Sequence, residues 1–327
     1  MGITTTYQRA FKTSKLDPYP VEILKRVDRP TTLVREGEIL RVDERESGFN
    51  RALRGDFGPQ LTKERHRFVS KHPLSGALVN MQFTLVQIVD GVVAADKAPV
   101  PEDPAAMARH LKETAYFLRA DIVGISELPP YAVYSHSMAT GETVELRHKY
   151  AISIVVDQDW KTAEATVGND WISNSMSFLA YSSSGFIACI LADYIRRLGY
   201  PARAHHARNY QVVVPAILLK AGLGEMCRIG DVVLNPFLGP RFKASVVTTD
   251  LPLAVDKPID FGLQDFCDKC GKCARYCPTG SISFGEKVIY NGYEKWPNDV
   301  EKCTRGRVGN IKGSGCGVCV AVCPWNK

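Results

Sequence analysis

The residues with the clearest chemical meaning in this 327-residue chain are two runs of cysteine near its C-terminus. The first reads Cys267-x2-Cys270-x2-Cys273-x3-Cys277-Pro278 and the second Cys316-x2-Cys319-x3-Cys323-Pro324. Cysteines at this spacing wrap cubane iron–sulfur clusters: one tight loop supplies three thiolates, and the fourth crosses to the other cluster. The proline after each last cysteine fixes φ and lacks an N–H, so it turns the chain away from the cluster. Cys303 supplies the natural eighth ligand on a longer loop. The crossing rule then predicts one cluster on Cys267, Cys270, Cys273 and Cys323, and the other on Cys277, Cys303, Cys316 and Cys319. A zinc ribbon would pair two C-x2-C knuckles and needs neither Cys-Pro nor the x2-x2-x3 run. A disulfide framework suits short secreted domains. The reading is two 4Fe-4S clusters in an electron-transfer module. Cys189 and Cys227 sit among apolar or mixed neighbours and read as small buried hydrophobes.

That module takes up only the last sixty or so residues, so the rest of the chain must hold whatever uses the electrons. Hydrophobic content of 45% and charged content of 23% are ordinary for a globular protein. A net charge of +6 is too small to argue for nucleic acid. The longest apolar stretches, such as 186–192, are far short of a membrane span. Met1 to Lys12 shows no secretory or twin-arginine leader, which points to the cytoplasm.

The elements that must position the chemistry are partly legible. Residues 1–104 read as a loop-rich segment wrapping the core, with the charge run from Arg41 as solvated surface and a linker from Pro99 to Pro104. Residues 105–259 read as the core. Asp103 or Pro104 opens a helix whose apolar positions are Met107, Leu111, Ala115 and Leu118. The stretches 121–128 and 150–156 look like strands, the second a continuous β-branched run of the buried parallel type. A long amphipathic helix is predicted from Met176 to Leu198, stopped by Gly199 and Pro201. Shorter strands are predicted at 211–214, 232–234 and 242–248, the last two joined by the turn from Asn235, with a short helix at 216–221. Alternating strands and helices make the core α/β. Residues 260–327 form the cluster domain.

In order along the chain, Gly222-Leu-Gly-Glu, Leu238-Gly-Pro-Arg-Phe-Lys, Thr249-Asp-Leu-Pro-Leu, Lys257-Pro-Ile-Asp-Phe-Gly, both cysteine runs and the closing Cys323-Pro-Trp-Asn-Lys resemble the corrinoid reductive dehalogenases. Arg41-Val-Asp-Glu-Arg and Gly55-Asp-Phe-Gly-Pro look similar too. The resemblance implies an α/β (α+β) nitroreductase-like core holding base-off cobalamin, fused to a two-cluster ferredoxin-like domain. It implies an organohalide substrate, reduced by two electrons and one proton. None of the seven histidines stands in the Asp-x-His-x-x-Gly context that would supply a lower cobalt ligand. Backbone and small residues would grip the corrinoid, with Gly222, Gly224, Gly230 and Gly239 as candidates. Without the resemblance each reads as a turn or cap. Carried over residue by residue, Tyr181 is the proton donor, Asn209 (or Arg208, one register away) its polar partner, and Arg241 the cation beside it. A phenol of pKa about 10 needs a nearby cation to stabilise its phenolate. His205 and His206 adjoin this region, but on a strand only one of them could face a pocket.

The chain stops directly after the last ligand, where relatives usually run on, and carries no fused reductase module. A separate low-potential donor (a ferredoxin, flavodoxin or reductase) is expected. Epoxyqueuosine reductase shares the cofactors, but uses an aspartate donor and usually reads Cys-Ile-Ser-Tyr-Leu where this chain has Cys303-Thr-Arg-Gly-Arg. A plain ferredoxin-like carrier would not need so large a further domain.

Overall fold

A computed structural model describes residues 16–168, 171–311, 313 and 315–326. The segment Met1 to Lys12 and the closing Lys327 lie outside them. Three helices stand where the sequence suggested loops: α1 (Gly48–Arg54), α2 (Pro59–His66) and α3 (Pro73–Val86). Proline occupies the first turn of α2 and α3, where its missing N–H costs nothing. These breakers also interrupt the apolar periodicity, which is why the helices were hard to see. Helix α4 (Pro104–Phe117) begins as expected, with the Asp103 carboxylate accepting from the Ala105 and Ala106 N–H groups.

The central sheet contains β1 (Ile122–Glu127), β2 (Tyr150–Asp157), β3 (Ala202–His205) and β6 (Phe242–Thr249), in the order β1-β2-β6-β3. Between β2 and β3 lie α5 (Trp160–Glu164) and α6 (Ile172–Arg197); α7 (Val214–Lys220), β4 (Glu225–Met226) and β5 (Val233–Leu234) follow β3. Every pairing in the central sheet is antiparallel, correcting the parallel expectation for β2. The apolar run of β2 arises because both faces are covered. Ile152 and Ile154 pack with α4 and α6, while Ala151 and Val155 pack with α7. Burial on two faces erases alternation whatever the strand direction. The predicted strand at 211–214 is a single bridge between Val133 and Val212, because α7 starts at Val214. β5 pairs with β4 rather than continuing into β6. The Asn235 turn is real: its Oδ1 accepts from the Phe237 and Leu238 N–H groups.

Helix α6 starts four residues earlier than its apolar pattern indicates. Its first turn is buried through hydrogen bonds rather than apolar contacts: Ser175 meets the Ser75 hydroxyl at 2.9 Å, and Asn174 donates to the Phe68 carbonyl. The helix ends at Gly199, whose φ of +85° suits glycine. By length and composition α6 could cross a membrane, yet 67% of its most apolar window is buried in the protein.

The cluster domain comprises α8 (Leu263–Cys270), α9 (Lys272–Arg275), the hairpin β7 (Val288–Tyr290) with β8 (Tyr293–Lys295), α10 (Val300–Gly309) and α11 (Val318–Ala321). Helix α10 packs against α1 and α2, so the N-terminal segment bridges core and cluster domain.

Candidate active site and cluster centres

The eight motif cysteines fall into two spatial groups. Cys277, Cys303, Cys316 and Cys319 line a cavity of about 770 Å³ between the core and the cluster domain. Cys267, Cys270, Cys273 and Cys323 line a small apolar cavity behind it. The electrostatics divide the same way. Burial, then the neighbouring thiols Cys323, Cys273 and Cys270, push Cys267 up to about 12. Cys303 is raised by burial and by Cys277 and Cys316. Cys227 also lines the small cavity, beside Cys267 and Cys273. It is buried, as a small hydrophobe should be, but its setting among thiols was not legible.

Backbone and side-chain donors shape these loops. Burial pushes the Cys277 thiol up, but hydrogen bonds from Thr279 and from the Ser281 N–H (3.3 Å) outweigh it and hold the thiol below its usual range. Buried Arg228 donates to the carbonyls of Cys267 (2.9 Å), Asp268, Ser283 and Gly285 and lies over the Trp296 ring. This arginine ties α8 to the loop before β7, a role with no sequence signature.

The same cavity is lined by Tyr134, Tyr181, Tyr210, Lys243 and Arg307. Tyr181 projects from the middle of α6. Lys243, one residue into β6, places its Nζ 5.4 Å from the Tyr181 ring centroid. Burial raises the Tyr181 phenol, while the charges of Arg307 and Arg208 oppose that rise. Burial, reinforced by Arg307, brings the Lys243 amine down to about 8. Arg208 is brought down to about 10, chiefly by burial, and stacks over Phe83 and Phe178. A phenol among three cations can release its proton, since the phenolate is stabilised where it forms. Lys243→Gln is expected to lower turnover by about 10²-fold, the scale for removing one preorganised charge donor. Unchanged iron and corrinoid content would locate the loss in chemistry, and wild-type turnover would remove Lys243 from the site.

Several expectations need correcting. Arg241 is not the cation beside Tyr181. Its Nε pairs with Asp157 at 2.9 Å, and its Nη1 reaches the Asn326 Oδ1 at 3.4 Å, so it joins β2 to the closing Trp-Asn segment. Asn209 also turns elsewhere, accepting from Arg203 at 2.7 Å. Arg208, the alternative one register away, is the residue near Tyr181. Gly222, Gly224, Gly230 and Gly239 do not line the cavity. A side chain at Gly222 would meet the Lys257 carbonyl, at Gly224 the Leu234 carbonyl, at Gly230 Asn298, and at Gly239 the Trp325 carbonyl. They permit close backbone packing and turns. Neither His205 nor His206 reaches the cavity; His205 bonds to Thr248 at 2.9 Å. Lys243 and Arg307 were missed, although both stand in quoted motifs. Lys243 closes Leu238-Gly-Pro-Arg-Phe-Lys, and Arg307 follows Cys303 by one helical turn, on the face that the ligand presents.

The residues present fit a large polar-edged cofactor. The volume lies toward the upper end of small-molecule sites. At the cavity wall the Thr166 hydroxyl and the Arg307 Nε are buried without a hydrogen-bond partner among the described residues. Buried polar atoms in that state call for an occupant.

Residues 266–327 match the family model described as a 4Fe-4S dicluster domain. The tetrachloroethene reductive dehalogenase of Sulfurospirillum multivorans is 31% identical over 71% of this chain and 52% of its own length. The solved catabolic reductive dehalogenase NpRdhA, in complex with 3-bromo-4-hydroxybenzoic acid, aligns at 45% identity with a TM-score of 0.93, over 98% of this chain and 47% of that one. The chain belongs to the reductive dehalogenase family. It spans about half the length of the relatives it matches. The Escherichia coli epoxyqueuosine reductase is more distant, 26% identical over 42% of this chain.

Proposed function

We propose that this chain carries the catalytic unit of a reductive dehalogenase, R–X + 2 e⁻ + H⁺ → R–H + X⁻. The observation that carries the reading is one cavity lined both by four cluster-type cysteines and by Tyr181, Lys243 and Arg307. Cobalamin, placed in that cavity, would supply the reducing cobalt that cleaves the carbon–halogen bond. Two 4Fe-4S clusters on the two cysteine groups would bring electrons to it, the Cys277 group lying at the cavity. Tyr181 delivers the proton, and Lys243 and Arg307 hold the resulting phenolate until it is reprotonated. The apolar walls limit water, so the proton comes from a fixed donor. The corrinoid is proposed to bind base-off.

A brominated or chlorinated hydroxybenzoate is the favoured substrate class, since NpRdhA binds 3-bromo-4-hydroxybenzoic acid. A cytoplasmic location and a separate ferredoxin, flavodoxin or reductase as electron donor complete the proposal.

Protein purified anaerobically with cobalamin is expected to hold about one cobalt and about eight iron, two cubanes by the ligand count. It should debrominate 3-bromo-4-hydroxybenzoate with a reduced viologen. The Co(II) electron paramagnetic spectrum should lack nitrogen splitting from a lower axial ligand. Cobalt-free protein that carries both clusters would leave an electron carrier. Visible nitrogen splitting would refute base-off binding by itself.

A further inference from the structure

Arg228 is 4% exposed, and it lines the small cavity that Cys267, Cys270, Cys273 and Cys323 also line. Neutral carbonyls satisfy most of its fork. Its Nε donates to Cys267 (2.9 Å), its Nη1 to Ser283 (3.1 Å) and Gly285 (3.2 Å), and its Nη2 to Asp268 (3.1 Å). Carbonyl dipoles solvate a cation without cancelling its charge. The carboxylate paired with it, that of Asp268, lies 3.6 Å away and is 60% exposed, so water screens much of its effect. The guanidinium also lies 4.8 Å from the buried Trp296 ring, which keeps water off it. This charge reaches the sulfurs. Burial raises the Cys273 thiol, and the Ala274 N–H and the Arg228 charge oppose that rise. The Arg228 backbone N–H bonds to the Cys267 thiol as well. Joining α8 to the loop before β7 needs only donors, and a neutral amide would supply them without taking a charge out of water.

We propose that Arg228 is a positioning residue that sets the reduction potential of the remote cluster, raising it through its buried charge. Reduction adds one negative charge to a cluster and thiolate unit that is already anionic, and a fixed cation beside it favours the reduced form. Net charge, hydrogen bonds to sulfur and solvent exposure are the levers on such potentials. A raised potential lets a donor outside the chain load this cluster, which holds one electron in reserve for a two-electron reaction. The proposal rests on the reading that the two cysteine groups hold 4Fe-4S clusters, which iron content decides separately.

The test is a redox titration of the holoenzyme followed by electron paramagnetic resonance of the reduced clusters, with iron counted per chain. In Arg228→Gln one of the two midpoints should fall by about tenfold in the reduction equilibrium, about 59 mV for one electron, while the other holds. Arg228→Lys keeps the charge, loses the planar fork and should restore the wild-type midpoint. A glutamine variant with about eight iron and both midpoints unmoved overturns the proposal. So does a lysine variant that falls as far as the glutamine one, because hydrogen bonds rather than charge would then set the potential. Should the glutamine variant lose iron, wild-type titrations at about 0.05 M and about 1 M salt decide. At the higher salt the Debye length is about 3 Å, which screens the exposed Lys269, Lys272 and Arg275 but not a buried charge. Midpoints that hold support Arg228, and one that moves about tenfold assigns the potential to the surface cations and overturns the proposal. Wild-type iron near four per chain would refute the two-cluster reading, and this proposal with it.

Discussion

Tyr181→Phe is expected to lower turnover by 10²- to 10⁴-fold, the usual contribution of a positioned general acid, with cobalt and iron content unchanged. The loss follows from position. The phenol lies at the cavity wall, with the Lys243 ammonium 5.4 Å from its ring and Arg307 and Arg208 opposing the rise that burial imposes. Phenylalanine keeps the shape and the packing against α3, and removes only the proton. Arg241 provides the contrast. It is buried and paired with Asp157, so Arg241→Gln leaves a partly buried carboxylate without its cation. That should cost about 1–3 kcal/mol of stability. Molecules that remain folded should turn over normally. Measuring turnover per cobalt for both variants, alongside thermal melts, separates the two roles. A Tyr181→Phe protein with full cofactor loading and wild-type turnover between pH 6 and 9 would return Tyr181 to an ordinary helix residue.

The parts of the site that could be read in the sequence are those where covalent spacing dictates geometry. A run such as Cys267 to Cys277 closes on itself within one loop, so its chemistry survives without tertiary information. The caps of α4 and α6 were legible for the same reason: Asp103 and Gly199 act on their own backbone neighbours. Legibility failed wherever partners come from distant segments. Arg241 and Lys243 are two residues apart at the start of one strand, yet one meets Asp157 and the other Tyr181. Only the placement of α6 across the sheet decides which. The glycines misled in a different way. Gly222 and Gly239 have positive φ, as a ligand-gripping loop would, but the backbones that approach them belong to Lys257 and Trp325. Helix α3 escaped notice because buried Gln82 and Ser75 occupy its inner face, so its periodicity is carried by polar as well as apolar residues.

Cys303→Ala should remove one cluster and abolish turnover. The spacing left Cys303 as the eighth ligand, on a loop that neither run contains. In the fold it sits on α10, lines the large cavity with Cys277, Cys316 and Cys319, and shares electrostatic contact with Cys277 and Cys316. Alanine there leaves three thiolates at the cavity, while the Cys267 group keeps all four of its own. Iron should fall from about eight to about four per chain, and the surviving cubane should be the remote one. Because the lost cluster is the one bordering the cavity, electrons that still reach the protein would have no relay to its centre. Turnover should vanish even though cobalt content persists. Two controls sharpen the reading. Cys189→Ala alters a buried residue packed in the main core beneath α3 and should leave iron and turnover intact. Cys227→Ala alters the thiol beside the remote group, and full iron there would show that it packs against that cluster without ligating it. If Cys303→Ala retains both cubanes, the eighth ligand lies elsewhere. Cys227 would then be the thiol to test, and the crossing of ligands between the two runs would need to be redrawn.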